Sequence, residues 1–413
     1  MIFHCCFALL LALTQSDHHK FGLKEAQPRI DNTIRVCTYN VLNLFDHTDD
    51  PTLEGEFDDM GDNPGPTSIA RCKELAKAIR EVDADILALQ EVESLEALHW
   101  FNDNFLKGMG YEYVASLDAG YYRGVEQSVL SRIPICHTTN WPNESLSDVK
   151  RAGPNWTEVP RGTDEIKYQR SPLCVTLQTE DGYTLTLFVL HHKAGRSTNW
   201  HREYEAIKTM EKVSEMMFKN PNANIMVLGD FNAAPWDKSV KVYLEGGMID
   251  AMAHRSTNVQ YDEDAPLYKT HTSDRVIDFI LLNPAAYREF VPKSAFVLGT
   301  SAEDYDWRND PIPSGYASDH YPVAIDIVPS EGKGVCVKAH PYPEFTAPEP
   351  EPEVEVKTVP LEDALFIASK RSEKFHKATC KNVDSISPKN KVGFETRSDA
   401  TDTKRVPAKC CSP

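Results

Sequence analysis

The chain has 413 residues, 41% hydrophobic and 9% aromatic, enough for one large core with a smaller unit beside it. A formal net charge of -18 excludes a uniformly basic, polyanion-coating protein. The overall field repels nucleic acid and anionic lipid, so a polyanionic substrate must be held by a local positive patch or by metal ions.

The chain opens MIFHCCFALLLALTQS. Its apolar run, Ile2–Leu13, is too short to span a bilayer and has the length of a secretory h-region. No Lys or Arg precedes that run, so a buried N-terminal strand or helix is the competing reading. The polar segment Gln15–Lys20 favours a signal peptide over residues 1–16, and with it a secreted, extracellular or periplasmic location. No other segment is long and apolar enough for a transmembrane helix, so no stable membrane insertion is expected, and a monomer is the default. Cleavage would remove Cys5 and Cys6 and leave Cys37, Cys72, Cys136, Cys174, Cys336, Cys380, Cys410 and Cys411. An even number permits disulfides in an exported protein without fixing their connectivity. Cys37 and Cys72 lie in apolar periodic segments and read as buried thiols.

Strand-like and helix-like patterns then alternate from about residue 34 to 328. Arg35–Leu42 is β-rich. Ser68–Val82 sets Ile69, Cys72, Leu75, Ala76, Ile79 and Val82 at helical spacing. Asp85–Val92 is the apolar run of a strand buried on both faces. Further strands are predicted at Gln127–Leu130, Cys174–Gln178, Thr184–Leu190, Ile225–Leu228, Val276–Leu282 and Pro322–Ile327. An amphipathic helix is predicted over residues 202–218, with Ala206, Ile207, Met210, Val213 and Met217 on one face. Residues 338–360, rich in Pro and Glu, read as an extended, self-repelling linker. A small module spans 361–413. Residues 370–413 carry eleven Lys or Arg against five Asp or Glu, so this tail is basic on an acidic protein: either a solvated surface or a polyanion-binding accessory.

Polar residues cluster at the ends of the apolar runs. VCTYNVLNLFD carries Asn40, and ILALQEVES carries Gln90 and Glu91. LTLFVLHHKAG delivers His191, His192 and Lys193. NIMVLGDFNAAP sets Asp230 and Asn232 around Gly229. RVIDFILLN buries Asp278, for which a plain ion pair with the nearby Arg275 is the competing reading, and YASDHYPVAID offers Ser318, Asp319 and His320. A single carboxylate at a strand end is ordinarily a cap or turn residue. Here each run carries a carboxylate, an amide or a histidine, and the carboxylates and amides are hard oxygen ligands suited to Mg²⁺, Mn²⁺ or Ca²⁺.

The motifs TYN, LQE, GDFN and SDH, in that order, resemble those of the endonuclease/exonuclease/phosphatase superfamily over about residues 34–328. The resemblance implies a four-layered α/β sandwich over residues 30–330, two mixed β-sheets face to face with helices outside, and a divalent metal, Mg²⁺ foremost. Position by position, it implies metal contacts for Asn40, Glu91 and Asp319. It implies water orientation or deprotonation for Asp230 and phosphate contacts for Asn232 and His191, the latter also protonating the leaving oxygen. His320 would be the essential histidine, oriented by Asp278. Lys193, Arg123 and Arg170 would support the phosphate. Two departures stand out. Leu42 occupies a position where some abasic-site enzymes have an aspartate, and RVIDFIL inserts a residue that removes the usual role of Arg275. The implied activity is hydrolysis of DNA or RNA phosphodiesters, with nucleic acid as substrate. A sphingomyelinase-like or sugar-phosphate phosphodiesterase is the alternative, for which Trp141, Trp156 and Trp200 would be membrane-contacting loop residues. A non-catalytic binding protein is the third reading.

The tail, with FHKATC, Ile386, Asn390, Val392, Phe394, Arg397 and PAKCCSP, resembles a small module of secreted nucleases related to the metal-binding part of DNA-alkylation-repair regulators. His376, Cys380 and Cys411 match its ligands. Ala408 replaces the first cysteine of the last pair, and Cys410 is displaced from it by two positions. The resemblance therefore leaves Zn²⁺ or a disulfide, such as Cys380 with Cys410 or Cys411, as alternatives for this cluster.

Overall fold

The computed structural model describes residues 21–48, 65–252, 265–300, 309, 316–330 and 358–411, apart from positions 164, 371, 373, 404 and 409. The expected signal peptide, Cys336 and most of the expected linker lie outside these residues. The chain divides into two compact units, residues 1–339 and 340–413.

The first unit holds twelve strands among the described residues: β1 Ile34–Leu44, β2 Ile86–Val92, β3 Tyr113–Ser116, β4 Glu126–Ser131, β5 Ile135–Thr139, β6 Leu173–Gln178, β7 Thr184–His191, β8 Asn224–Asp230, β9 Ile249–Asp250, β10 Asp278–Leu282, β11 Phe296–Val297 and β12 Val323–Ile327. Its helices are α1 Ile69–Val82, α2 Leu95–Phe105, α3 Asn199–Lys219, α4 Lys238–Glu245 and α5 Pro284–Glu289. One mixed sheet runs β11-β12-β1-β2-β4-β3, the other β5-β6-β7-β8-β10-β9. Strands β1, β2, β7, β8, β10 and β12 are buried on both faces over most of their length, as their near-continuous apolar runs require. Val36, Ile86 and Val129 meet Val175, Leu187 and Leu228 in the core between the sheets. The opposite faces pack Cys37, Leu87 and Leu89 against Leu75 and Ile79 of α1, and Phe188 and Val227 against Met210 and Val213 of α3. The fold is the α/β sandwich, helix–sheet–sheet–helix.

Two parallel pairs decide where chemistry can sit. α1 crosses from β1 to β2, and α3 from β7 to β8. A crossover helix returns the chain so that both strands end at the same edge. The last residues of the four strands therefore share one rim. Gly229 allows the second pair to close: its φ is +133°, and a Cβ there would lie 2.1 Å from the Leu190 carbonyl oxygen.

Local differences from expectation have plain causes. Ile69 is exposed because it opens α1, which Ser68 caps by accepting the Arg71 N–H. The α3 face is more polar than the apolar spacing predicts, since Arg202, Glu205 and Thr209 are buried alongside Ala206 and Met210. Helix α2 and short strands β3, β5, β9 and β11 carry too little periodicity to be read. Cys37, Cys72 and Cys174 are buried free thiols.

The second unit is a four-stranded sheet, β15-β13-β14-β16, with β13 Phe366–Ser369, β14 Lys374–Lys377, β15 Lys391–Phe394, β16 Val406–Pro407 and helix α6 Arg397–Asp402. Its core is small: Ala368, Phe375, Phe394 and Ala400, with a satellite of Ala364, Ile367 and Val383.

Candidate active site

The rim collects most of the predicted residues. In β1 the backbone bulges between Asn40 and Leu44, where Leu42 and Asn43 take positive φ. Arg71 holds that bulge by donating to the Val41, Asn43 and Ala317 carbonyls. In β2 the register shifts between Gln90 and Val92, and Glu91 has a φ of +65°. A bulge turns one side chain away from the sheet's alternation. Gln90 stays in the core on Thr38, while Glu91 accepts the Asn43 N–H at 3.0 Å.

The second sheet supplies the rest. Parallel register sets His191 beside Asp230, and antiparallel register sets Asp278 across from Asp230. His320 precedes β12, and Ser318 donates to the Asn40 carbonyl, tying that turn to β1. The His191 Nε2 lies 3.6 Å from Glu91 and 3.4 Å from Asp230. The His320 Nε2 lies 3.6 Å from Asp230. Glu91, Asp230 and His320, far apart in sequence, share one pocket.

Its electrostatics divide the two histidines. Burial by itself lowers an imidazole's pKa, but Asp278, Asp230 and Asp319 outweigh it and hold His320 well above the ordinary value. Its Nδ1 meets the two Asp278 oxygens at 3.0 and 2.9 Å. His191 goes the other way: burial, then Arg170, His320 and Arg123, push it well below. The pocket thus pairs an imidazolium with a neutral imidazole. Asp230 is raised by burial and by Asp278, with His320 opposing. Both amides expected around it are engaged there: Asn40 and Asn232 each donate to its Oδ2 at 3.1 Å. Asn40, expected among the metal contacts, donates its amide N–H to Asp230 and accepts the Leu42 N–H on its Oδ1.

The carboxylates fit a divalent cation. Burial would raise the Asp319 carboxyl, but the His271 hydrogen bond and the His320 charge bring it down to about 2. Its Oδ1 is buried and has no hydrogen-bond partner among the described residues. An ionised, buried oxygen without a donor wants a cation. Asp319 with His271 and His320 forms one group able to hold a metal ion, and Asp230 with Asp278 and His320 another; Glu91 adds a carboxylate at the same rim, 3.6 Å from His191. Asp278 pairs with His320, and Arg275 donates to Ser273, so Asp278 is not an arginine's counter-ion.

The supporting cations sit differently from expectation. Arg170 is buried behind the site, donating to the His191 and His192 carbonyls with its guanidinium 4.7 Å from the Tyr121 ring. It braces the loop and adds positive field without reaching the rim. Arg123 donates to the side chain of Asn43 at 2.8 Å, the residue whose N–H Glu91 accepts. Lys193 is half-buried, and its backbone N–H is taken by Glu205.

Two residues escape a reading of strand ends. His271 accepts the Ser273 N–H on Nδ1, which leaves Nε2–H facing Asp319 at 3.3 Å. It lies in a polar turn with no periodicity; its one signal is the threonine-flanked histidine just before the Asp278 strand. Glu205 lies fully buried beneath the site, accepting the Gln169 and Lys193 N–H groups beside His192. His192 completes that network on Tyr243 at 2.9 Å. Polar residues at core-facing spacing in α3 were the available sign.

Residues 37–320 match the model of the Endonuclease/Exonuclease/phosphatase family. The chain belongs to that family. Its members are metal-dependent hydrolases of phosphoric esters, and so is this protein. Among solved structures, the catalytic domain of human nocturnin with a bound sulfate anion is 18% identical, covering 72% of this chain and 95% of its own, with a TM-score of 0.48. A family protein from Bacteroides thetaiotaomicron is 19% identical over 73% of this chain and 98% of its own, TM-score 0.46. A mannosyl-6-phosphatase from the same species is 19% identical over 71% and 98%, TM-score 0.43. No curated protein sequence matches significantly.

In the tail unit, the Nδ1 of His376 and the sulfurs of Cys380, Cys410 and Cys411 all lie within 4.8 Å of one another. Cys380, Cys410 and Cys411 are free thiols.

Proposed function

We propose that the protein is a secreted nuclease that hydrolyses phosphodiester bonds of DNA or RNA with Mg²⁺, or with Mn²⁺ or Ca²⁺ in its place. The observation that carries this reading is the placement of two histidines on Asp230, His320 at 3.6 Å with Asp278 behind it and His191 at 3.4 Å, in opposed electrostatic settings. A diester needs its negative charge neutralised and its leaving alkoxide protonated, two tasks for two different imidazoles. His320, held charged by Asp278, donates to a non-bridging phosphate oxygen. Asp230, oriented by Asn40 and Asn232, accepts the proton of the attacking water. His191 is neutral without substrate. An anionic diester beside it raises its proton affinity, so it can deliver a proton to the leaving oxygen. Glu91 and Asp319 would hold the divalent cation, which would supply Lewis-acid charge for the phosphate. Glu91, Asp319, His191, Asp230, Asn232, Asp278 and His320 are therefore the site residues, with Arg123 and Lys193 on the substrate side.

Two features support nucleic acid over lipid. Tyr122, beside Arg123, is 69% exposed, and Trp236, four residues after Asn232, is 61% exposed. Bases stack on such rings whatever their sequence. The tryptophans that a membrane-contacting enzyme would present are packed instead: Trp141 on Phe188 beneath Lys212, Trp156 between Arg151 and Lys238, and Trp200 against His201. No helix among the described residues is long and apolar enough to cross a membrane.

The test is product analysis on single- and double-stranded DNA, RNA and sphingomyelin, with Mg²⁺ and with chelator. Cleavage of nucleic acid that chelator abolishes is expected. Turnover of sphingomyelin with intact DNA and RNA would overturn the substrate assignment, and cleavage indifferent to chelator would overturn the metal.

A further inference from the structure

We propose that the tail unit holds a structural zinc ion on His376, Cys380, Cys410 and Cys411, with Cys410 supplying the ligand that position 408 lacks. The argument begins with the separations. The His376 Nδ1 is 3.6 Å from the Cys380 sulfur, 3.3 Å from Cys410 and 3.8 Å from Cys411, and the Cys380 and Cys410 sulfurs are 3.7 Å apart. An imidazole nitrogen has one hydrogen-bonding valence and cannot satisfy three thiols. Three sulfurs gathered around one nitrogen share a centre instead. Tetrahedral zinc, with sulfur at ~2.3 Å and nitrogen at ~2.0–2.1 Å, requires edges of about 3.8 Å between sulfurs and about 3.6 Å between sulfur and nitrogen. These four edges lie within about 0.3 Å of those lengths, and the Cys411 sulfur is within 4.8 Å of the other two. A disulfide would hold its sulfurs at ~2.05 Å.

The surroundings fit thiolates. The Asn382 amide donates to the Cys410 sulfur at 3.2 Å. Three thiolates, one neutral imidazole and Zn²⁺ leave a single negative charge, within a basic tail. Binding releases the three thiol protons. Thiolate-rich donors select zinc over the hard cations suited to the catalytic site.

The fold gives an independent reason. The unit's core is four buried residues with a satellite of three, too little apolar burial to offset the ordering of about fifty residues. The four ligands come from β14, the turn after it, and the chain's end, so the ion would clamp that end to the sheet. Position 408 cannot contribute. Ala408 is buried, and its N–H is bonded to the Phe375 carbonyl.

Full-length protein purified without chelator should carry one equivalent of zinc by elemental analysis. Cobalt substitution should give a thiolate-to-cobalt charge-transfer band. Glu91→Gln should keep that zinc, whereas Cys410→Ala should lose it. Cys410→His, which restores a donor, should keep it and guards against reading a folding failure as ligand loss. Retention of a full equivalent by Cys410→Ala would overturn the assignment of Cys410. Zinc-free protein with unmodified thiols, or with a mass two hydrogens lower from a Cys380 disulfide, would overturn the site.

Discussion

His320 and His191 are the same residue type under opposite electrostatic control. His320 faces three carboxylates that outweigh its burial, whereas His191, although beside Glu91 and Asp230, is lowered by burial and then by Arg170, His320 and Arg123. Replacing Asp278 by Asn should cut turnover by ~10²–10⁴, and His320→Ala by at least as much, with folding kept. The sign of the pH effect follows from the raised His320 pKa. Activity that needs the imidazolium is present at low pH and lost as pH rises through the folded pKa. Asp278→Asn removes a raising charge, so the alkaline limb of the pH profile should move to lower pH. An unmoved limb would mean that another group sets it. Glu126 offers a stability test away from the chemistry. Burial pushes its carboxyl up from 4.5 to about 7, against the Ser116 hydroxyl's hydrogen bond. Its contribution is therefore full below pH 4.5 and lost as pH rises to about 7. Glu126→Gln should raise the melting temperature at pH 8 and leave it unchanged at pH 4; a lowered value at pH 8 would refute this.

Strand ends, rather than whole strands, carry the function. Apolar runs predicted β1, β2, β7, β8 and β10 because strands buried on both faces have little that is polar along their length, and the polar residues at or near their ends stood out for the same reason. The bulges were not legible. Whether Gln90 or Glu91 points into the pocket depends on a one-residue register shift against β4, which no local pattern encodes. The Gly229 turn shows how tightly β7 and β8 must approach. Gly229→Ala places a methyl against the Leu190 carbonyl at a φ that L residues avoid. It should destabilise the protein by at least ~3 kcal/mol, measured by denaturant unfolding. A loss under ~1 kcal/mol would show that the strand pair has slack.

At the scale of the molecule, an acidic protein turns over a polyanion only through local charge. We expect the basic tail to matter for capture. Ending the chain at residue 339 should raise KM for long DNA severalfold, flatten its salt dependence, and leave turnover of a short diester within about twofold. Equal KM and salt slope with and without the tail would remove that role.

The sequence by itself determined the family, the alternation of sheet and helix, and the list of polar residues that could do chemistry, because hydrophobic period and strand-end polarity are local properties. Only the tertiary structure decided what those residues are to one another. It withdrew Arg170 to a brace behind the loop, turned Asn40 onto Asp230, brought His271 and Glu205 into the network, and gathered four tail ligands into one cluster. Each is a matter of register, bulge or crossover. These place residues remote in sequence within hydrogen-bonding reach, where distance and burial, rather than residue type, set protonation and role.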